Sequence, residues 1–217
     1  MPKPTFFRLP DEKRERLIKA AYAEFTRAPF AEASISNIIK DAGIPRGSFY
    51  QYFEDKSDVF FYLLDQMRES TQAWMKKTID THHGDLYAAL ADVFDHVIDE
   101  LVDGPYAPFY RNVFMYMDFH SAAKISPTPA PQPPHGKGEL INYMVAHIDR
   151  SRLNVHSDAE LHLLIHMVMG MFMQTVGYYY NRLSQGEQIS VAELKRRLAQ
   201  LLEWLQNGTV NKEERHD

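Results

Sequence analysis

Between Ser34 and Phe53, apolar residues recur at helical spacing, and a short break near the middle divides the segment in two. The apolar positions before the break are Ile35, Ile38, Ile39 and Ala42. They predict a short helix with one buried side. Ser34 can cap the free amides at its start, and Gly43 ends it because glycine adopts a positive φ without a steric clash.

A second short helix is predicted to begin at Arg46, after the tight turn formed by Ala42, Gly43 and Ile44. Phe49 and Phe53 are four residues apart and face inward together. The opposite face carries a cation, hydroxyl groups and an amide, on Arg46, Ser48, Tyr50, Gln51 and Tyr52. Such a pair is typical of a helix-turn-helix, whose second helix enters the major groove of DNA. The alternative is a plain helical hairpin whose tyrosines only cover the core.

Longer segments with helical periodicity occupy most of the rest of the chain. They run from residue 11 to 27, from 55 to about 79, from 85 to 101, from 106 to about 119, from 140 to 148, from 157 to 183 and from 190 to 205. Five prolines between residues 121 and 138 predict a loop, with a proline-rich peptide ligand as the alternative. The chain is therefore predicted to be all-α.

The segment from residue 157 to 183 is hydrophobic on all sides. A helix of this kind either crosses a membrane or is buried from two directions. His162, His166 and Gln174 interrupt the apolar run, which favours burial in the protein. A homodimer is the simplest way to cover a second apolar face.

Composition limits the functions that fit. The chain has 217 residues, a formal net charge of −5 and no cysteine, so disulfide and thiolate chemistry are excluded. Residues 1 to 60 carry ten basic and nine acidic side chains, so charge does not exclude DNA binding by this part. The amino terminus lacks the pattern of a secretion signal, and a cytoplasmic location is expected.

Residues 11 to 64 resemble the DNA-binding domain of the TetR family of bacterial transcriptional regulators. The most specific match is the run Gly47-Ser48-Phe49-Tyr50-x-Tyr52-Phe53-x-x-Lys56. One departure is Pro45, where the family usually has a small hydroxylated residue. Proline suits the start of a helix but offers no side-chain cap.

The resemblance implies a three-helix DNA-binding domain over residues 1–55 and a helical effector-binding and dimerisation domain over residues 56–217. It implies a homodimer that binds double-stranded operator DNA, is released by a small apolar or amphipathic effector and acts as a repressor. The predicted DNA contacts are Ser34, Ser36, Asn37, Arg46, Gly47, Ser48, Tyr50, Gln51, Tyr52 and Lys56. Gln51 is the predicted base reader, because its amide can pair with adenine through two hydrogen bonds.

Methionines and aromatic residues in the second part suggest an adaptable apolar pocket. The predicted pocket residues are Phe109, Phe114, Met117, His166, Met167, Met171, Gln174 and Tyr178. The predicted dimer contacts are Met169, Met173, Leu194, Leu198, Leu201 and Leu205. The alternative is an effector-independent dimer whose apolar body only holds the DNA-binding domains apart.

Two pairs with metal-ligand spacing, His162 with His166 and Asp92 with His96, lack a recognisable third ligand. No metal or cofactor is therefore predicted. No nucleophile elbow or catalytic carboxylate pair is recognisable, so no enzymatic activity is predicted either.

Overall fold

The structure is a computed structural model that describes residues 1–116 and 139–209. These residues form α-helices and one 3-10 turn, and no strand occurs among them. The helices are α1 (Pro4–Phe7), α2 (Asp11–Arg27), α3 (Ile35–Ala42), α4 (Arg46–Tyr52), α5 (Lys56–Thr81), α6 (Leu86–Val102), α7 (Ala107–Tyr116), α8 (Glu139–His147), α9 (Asp158–Ser184) and α10 (Val191–Asn207). The all-α prediction is confirmed. The predicted loop at residues 121–138 and Met117 lie outside the described residues.

Three of the longer helices begin with side-chain caps. Asp55 accepts hydrogen bonds from the backbone N–H groups of Ser57 and Asp58 at the start of α5. The Ser157 hydroxyl accepts the N–H of Glu160 in α9, and Ser190 does the same for α10. Each cap satisfies an amide that has no partner within its own helix.

The chain forms two compact units. The first contains residues 1–71 and the segment that begins at Asp103 and includes α7; the second contains residues 72–102 together with α8, α9 and α10. The sequence placed the domain boundary at residue 55. In the structure, the first turns of α5 belong to the core of the first unit, because Val59, Phe60 and Leu63 are buried there.

Aromatic side chains form much of the core of the first unit. Phe25, Phe60 and Phe109 contact one another with ring centroids 5.0 to 6.4 Å apart. The Asn112 side chain of α7 donates to the carbonyls of Phe25 and Thr26 at the end of α2, at 2.8 and 2.9 Å. Helix α7 therefore packs against α2 and closes its carboxyl end.

In the second unit, α6 packs against α10, and α9 packs against α8 and α10. The rings of Phe94 on α6 and Phe172 on α9 stack with their centroids 4.6 Å apart. The buried Tyr180 hydroxyl donates to the carbonyl of Leu101 at 3.1 Å. These contacts bury one side of α9 inside the unit.

Gly84 follows α5, and its backbone lies very close to the backbone of the segment after α8. It has a φ of +79°, and a Cβ at this position would lie 2.5 Å from the carbonyl oxygen of His147. The Gly84 carbonyl accepts a hydrogen bond from the N–H of Asp149 at 2.9 Å. Only glycine satisfies both the positive φ and the space available.

By length and composition, α9 is apolar enough to cross a membrane, and it is the one described helix that is. The core helix of a globular protein can meet the same criterion. Its Leu161, Ile165, Val168 and Phe172 side chains are buried within the second unit.

Candidate nucleic-acid interface

Helix α3 begins at Ser34, but its cap differs from the one predicted. The Ser34 side chain makes no capping hydrogen bond. Instead the Ser34 N–H donates to the Glu24 carboxylate of α2 at 2.6 Å, and the Asn37 side-chain amide donates to the same carboxylate at 3.1 and 3.2 Å. A neighbouring helix therefore supplies the acceptor, and the prediction of a serine cap is wrong.

The Glu24 carboxylate is almost completely buried, with 2% of the residue exposed. Arg27 adds a bidentate ion pair at 2.7 to 3.1 Å. Burial raises the pKa of the Glu24 carboxyl, but the hydrogen bonds from Arg27, Ser34 and Asn37 together lower it by more. Glu24 therefore remains charged at neutral pH and connects α2 to the start of α3.

The turn between α3 and α4 has the predicted form. Gly43 has a φ of +62° and its N–H bonds back to the last turn of α3. The guanidinium of Arg16 on α2 donates to the Ala42 carbonyl at 2.8 Å. Both ends of α3 are therefore fixed by side chains of α2, and this sets the direction in which α4 leaves the turn.

Helix α4 buries one side and exposes the other. Phe49 and Phe53 are 0% exposed, and their ring centroids are 5.3 Å apart. The side chains of Ser48 and Tyr52 are half-buried beside them. The exposed arc carries Arg46, Gly47, Tyr50 and Gln51, and Ser36 on α3 is exposed as well.

Nothing among residues 1–116 and 139–209 requires glycine at position 47. Its φ is not in the left-handed region, and a Cβ at this position would meet no heavy atom within 4 Å. Glycine is a poorer helix former than alanine by up to about 1 kcal/mol. A glycine on an exposed helix face is explained if another molecule approaches the backbone closely at this point.

Two of the predicted DNA contacts are occupied by the protein's own groups. The Asn37 amide is held by Glu24, as described above. The Lys56 ammonium donates to the carbonyls of Ala31 and Ala33 at 2.9 and 3.1 Å and lies 4.9 Å from the ring centroid of Phe30. Lys56 has one further donor with which to meet a phosphate. Ser34 is half-buried and presents its backbone N–H to Glu24.

The amino-terminal segment belongs to this site. The Lys3 ammonium donates to the Tyr50 carbonyl at 2.9 Å, and the Lys3 N–H donates to the Tyr52 carbonyl at 2.8 Å. The Thr5 hydroxyl donates to the Gln51 carbonyl. The only sequence signal was the unusual pair of phenylalanines that follows Thr5.

The predicted effector residues fall into both units. Phe109 is buried among the aromatic rings of the first unit's core, and Phe114 also belongs to that unit. In the second unit, Met171 and Tyr178 are half-buried. His166, Met167 and Gln174 are exposed on α9.

A groove of about 320 Å³ lies between α6 and α10 in the second unit. Its lining is mostly apolar and includes three charged residues: Ala91, Phe94, Asp95, Lys195, Arg196, Leu198, Ala199 and Leu202. Lys195 donates to the carboxylates of Asp95 and Asp99 at 2.8 Å, so its charge is already neutralised. The groove contains none of the predicted pocket residues but does contain Leu198.

The predicted dimer contacts include buried, half-buried and exposed residues. Leu194 and Leu198 are buried between α10 and the rest of the second unit, so they have little surface to offer a partner. Met169, Leu201 and Leu205 are half-buried. Met173 is exposed.

Helix α9 exposes a continuous face that the prediction only partly covered. Leu163 is 62% exposed and Met167 is 51% exposed. Gly170 and Gly177 lie on the same face, seven residues apart, and a Cβ at either position would meet no heavy atom within 4 Å. Trp204 on α10 is 48% exposed. Large apolar residues with glycines between them suit close packing against another helix.

No group of three His, Asp or Glu side chains is placed to hold a metal ion in residues 1–116 and 139–209. Of the pairs noted in the sequence, the His166 ring bonds to the His162 carbonyl at 2.7 Å. Asp92 pairs with His82 at 2.6 Å, and His96 packs against Trp74.

Helices α2, α3 and α4 of the first unit form a helix-turn-helix, in which the second helix of a tight-turn pair exposes a polar face. This arrangement is that of a helix-turn-helix transcriptional regulator. Two family models match the chain: the tetR family of bacterial regulatory proteins at residues 17–63 and the tetracyclin repressor-like C-terminal domain at residues 85–209. The protein belongs to the TetR family, whose members are transcription factors without enzymatic activity.

Similarity in sequence to individual proteins covers only part of the chain. The chain is 45% identical over 53 residues to the HTH-type transcriptional regulator YdgC of Bacillus subtilis, and this covers 24% of the chain and 27% of YdgC. It is 28% identical over 92 residues to an HTH-type transcriptional regulator of Staphylococcus aureus, covering 42% and 49% of the two chains. The matches therefore span about a quarter and about half of these relatives.

The fold extends further than this similarity in sequence. A TetR transcriptional regulator from Rhodococcus sp. RHA1 superposes with a TM-score of 0.53 over 91% of this chain and 97% of its own. The two are only 15% identical, so the comparison concerns the fold alone.

Proposed function

We propose that this protein is a homodimeric repressor that reads operator DNA with the exposed face of α4 and leaves it when a small apolar or amphipathic effector binds. Arg46 and Tyr50 lie on this face at a spacing of one helical turn, beside Gly47 and Gln51. A cation and hydroxyl hold phosphates, and the Gln51 amide reads a base. Because its partner is DNA, the protein acts in the cytoplasm.

The observation that carries the proposal is the open space around Gly47. Arg46, Gly47, Tyr50 and Gln51 form one exposed arc, while the opposite arc is locked into the core by Phe49 and Phe53. A glycine in the middle of that arc allows the helix backbone to approach a duplex. Ser36, Ser48 and Tyr52 flank it as further candidates.

The test is Gly47→Ala, measured on an operator selected from random-sequence duplexes with the wild-type protein. The added methyl group meets open space in the free protein, so we expect stability to be equal or higher by up to about 1 kcal/mol. We expect operator affinity to fall at least about tenfold, because the methyl group holds the backbone away from the DNA.

Ala192→Leu serves as a control, since Ala192 is exposed on α10 and far along the chain from α4. It should leave operator affinity unchanged. Unchanged affinity in Gly47→Ala would remove the main support for DNA reading by this face.

Dimerisation is supported by the exposed face of α9. Its large apolar residues and the two glycines cover about four helical turns, from Leu163 to Gly177. Met173, Leu201 and Leu205 remain candidate contacts, and Trp204 joins them. A two-fold dimer places two α4 helices about 34 to 36 Å apart, one turn of DNA.

The second half of the proposal is release from the operator by an effector. Met171, Tyr178 and the α6–α10 groove are candidates for its site within the second unit. The alternative is a dimer that binds DNA without an effector. A panel of apolar compounds separates the two, because an effector must raise the melting temperature and lower operator affinity in the same protein.

A further inference from the structure

The carboxyl end of α4 is closed by the amino-terminal segment of the chain. The last four carbonyls of a helix have no partner within it. In α4 the first of these, on Phe49, accepts the N–H of Phe53 at 2.9 Å. The other three belong to Tyr50, Gln51 and Tyr52, and all three accept hydrogen bonds from Lys3 and Thr5.

The donors are of three different kinds. Lys3 uses its backbone N–H for Tyr52, at 2.8 Å, and its ammonium for Tyr50, at 2.9 Å. Thr5 uses its hydroxyl for Gln51. The ammonium also places a positive charge at the negative end of the helix dipole.

Phe6 fixes the position of these donors. Its side chain is 0% exposed, and its ring lies 5.0 Å from the ring of Phe53 and 5.1 Å from that of Tyr62. The segment is therefore packed into the core on one side of the donors and hydrogen-bonded to α4 on the other.

A helix of seven residues is too short to be stable by itself in water. Helix α4 depends on Phe49 and Phe53 on its buried side and on the cap at its end. The carbonyls held by the cap belong to the residues whose side chains are proposed to face DNA. Fraying of this last turn moves the Gln51 amide away from a base edge and the Tyr50 hydroxyl away from a phosphate.

We infer that Lys3, Thr5 and Phe6 are positioning residues for DNA reading, acting through the last turn of α4 and not through contact with DNA. The inference rests on the proposed function, in which α4 reads the operator. The segment before α2 then contributes to DNA recognition indirectly, by holding α4 in place.

The test compares Thr5→Val, Thr5→Ser and Thr81→Val on the selected operator and on duplexes of unrelated sequence. Valine keeps the shape of threonine but removes the donor to Gln51, whereas serine keeps the donor. Thr81→Val is the matched control, because the exposed Thr81 hydroxyl also donates to a backbone carbonyl, that of Lys77 at 2.9 Å on α5.

For Thr5→Val we expect operator affinity to fall about threefold to tenfold, the size of one lost hydrogen bond. Affinity for unrelated duplexes should fall less than operator affinity, because it depends on phosphate contacts and not on base reading by the Gln51 amide. Thr5→Ser should recover operator binding to within about twofold. Hydrogen exchange should quicken at the amides of α4 in Thr5→Val and not at those of α3.

Lys3→Met distinguishes capping from direct contact. A lysine that touches a phosphate contributes about one unit to the slope of log affinity against log salt. We expect the slope to stay the same and α4 exchange to quicken. A slope reduced by about one, with unchanged exchange, would assign Lys3 to phosphate contact and overturn the inference for that residue.

Gln51→Ala in the same assays separates this inference from the proposed function. If Gln51→Ala weakens operator binding while Thr5→Val equals the wild type or Thr81→Val, the positioning role is wrong and DNA reading by α4 stands. If Gln51→Ala leaves operator preference unchanged, DNA reading by α4 is wrong, and the positioning role fails with it.

Discussion

The two compact units differ in how completely they cover their own polar and apolar groups. In the first unit, both ends of α3 and the carboxyl end of α4 are closed by Glu24, Arg16, Lys3 and Thr5, and the large aromatic residues fill one core. In the second unit, α9 leaves an apolar face exposed. The first unit is specified by its own residues, whereas the second presents a surface that suits another protein chain.

The largest effect should come from truncating the first unit's core. Phe49→Ala removes a ring that is 0% exposed, and we expect it to destabilise this unit by about 3 to 5 kcal/mol. Met167→Ala removes a side chain that is 51% exposed and should cost the separated protomer less than about 0.5 kcal/mol.

Hydrogen exchange of the first unit's core amides measures the first change. Trp74 and Trp204 both lie in the second unit, so tryptophan fluorescence during urea unfolding measures the effect of Met167→Ala. Equal costs for the two truncations would contradict the contrast between the units.

A large effect is also expected at Gly170. Gly170→Leu replaces a glycine in open space with a bulky residue, which leaves the protomer intact but prevents a second helix from approaching α9 closely. We expect the dissociation constant of the dimer to rise at least about tenfold. Analytical ultracentrifugation measures it, and Ala192→Leu on α10 provides the control. An unchanged dimer would place the interface elsewhere.

Glu24 should have an intermediate effect. Glu24→Ala leaves the Ser34 N–H and the Asn37 amide without their acceptor, and we expect a loss of about 2 to 3 kcal/mol in unfolding free energy. The matched exposed change, Glu12→Ala at the start of α2, should cost less than about 1 kcal/mol.

The same residue predicts a pH dependence. The pKa of Glu24 is lower in the folded protein than the value of about 4.3 in an unfolded chain. Its stabilising contribution is therefore complete above that unfolded value and is lost as the pH falls through the folded-state pKa. Glu24→Gln should flatten the acid side of the stability profile, and an identical profile would show that Glu24 does not titrate in this way.

The smallest effect is expected at Lys195, in the second unit. Its ion pairs with Asp95 and Asp99 are partly exposed to solvent, and such pairs contribute about 0.2 to 1 kcal/mol. Lys195→Met should lower stability by that amount at low salt. In urea unfolding at 1 M salt, the difference from the wild type should nearly vanish; a loss that persists would mean that packing, not charge, is responsible.

The sequence predicted the helices and the direction of α4 well, because both depend on local patterns. Phe49 and Phe53 face the core, and Gly43 adopts a positive φ. Long-range partners were less accessible. The caps supplied by Glu24 and Lys3 come from other elements of the fold. The backbone N–H donor of Lys3 cannot be recognised from the sequence, because every residue except proline has one.

The second unit was harder to predict for a related reason. Leu194, Leu198 and Met167 all lie at apolar helical positions, yet the first two are buried and the third is exposed. Helical periodicity identifies an apolar stripe but not the neighbour that covers it. The exposed glycines at positions 170 and 177 were the available signal for a close helix partner.

The most direct test of DNA reading by α4 is the set of duplexes that the wild-type protein and Gln51→Ala each select from a random-sequence pool. We expect the wild type to select a palindrome whose half-sites are about 10 to 10.5 base pairs apart. We expect Gln51→Ala to keep the same palindrome and lose preference at one symmetric position. Identical preferences for both proteins, or no palindrome at all, would contradict the account.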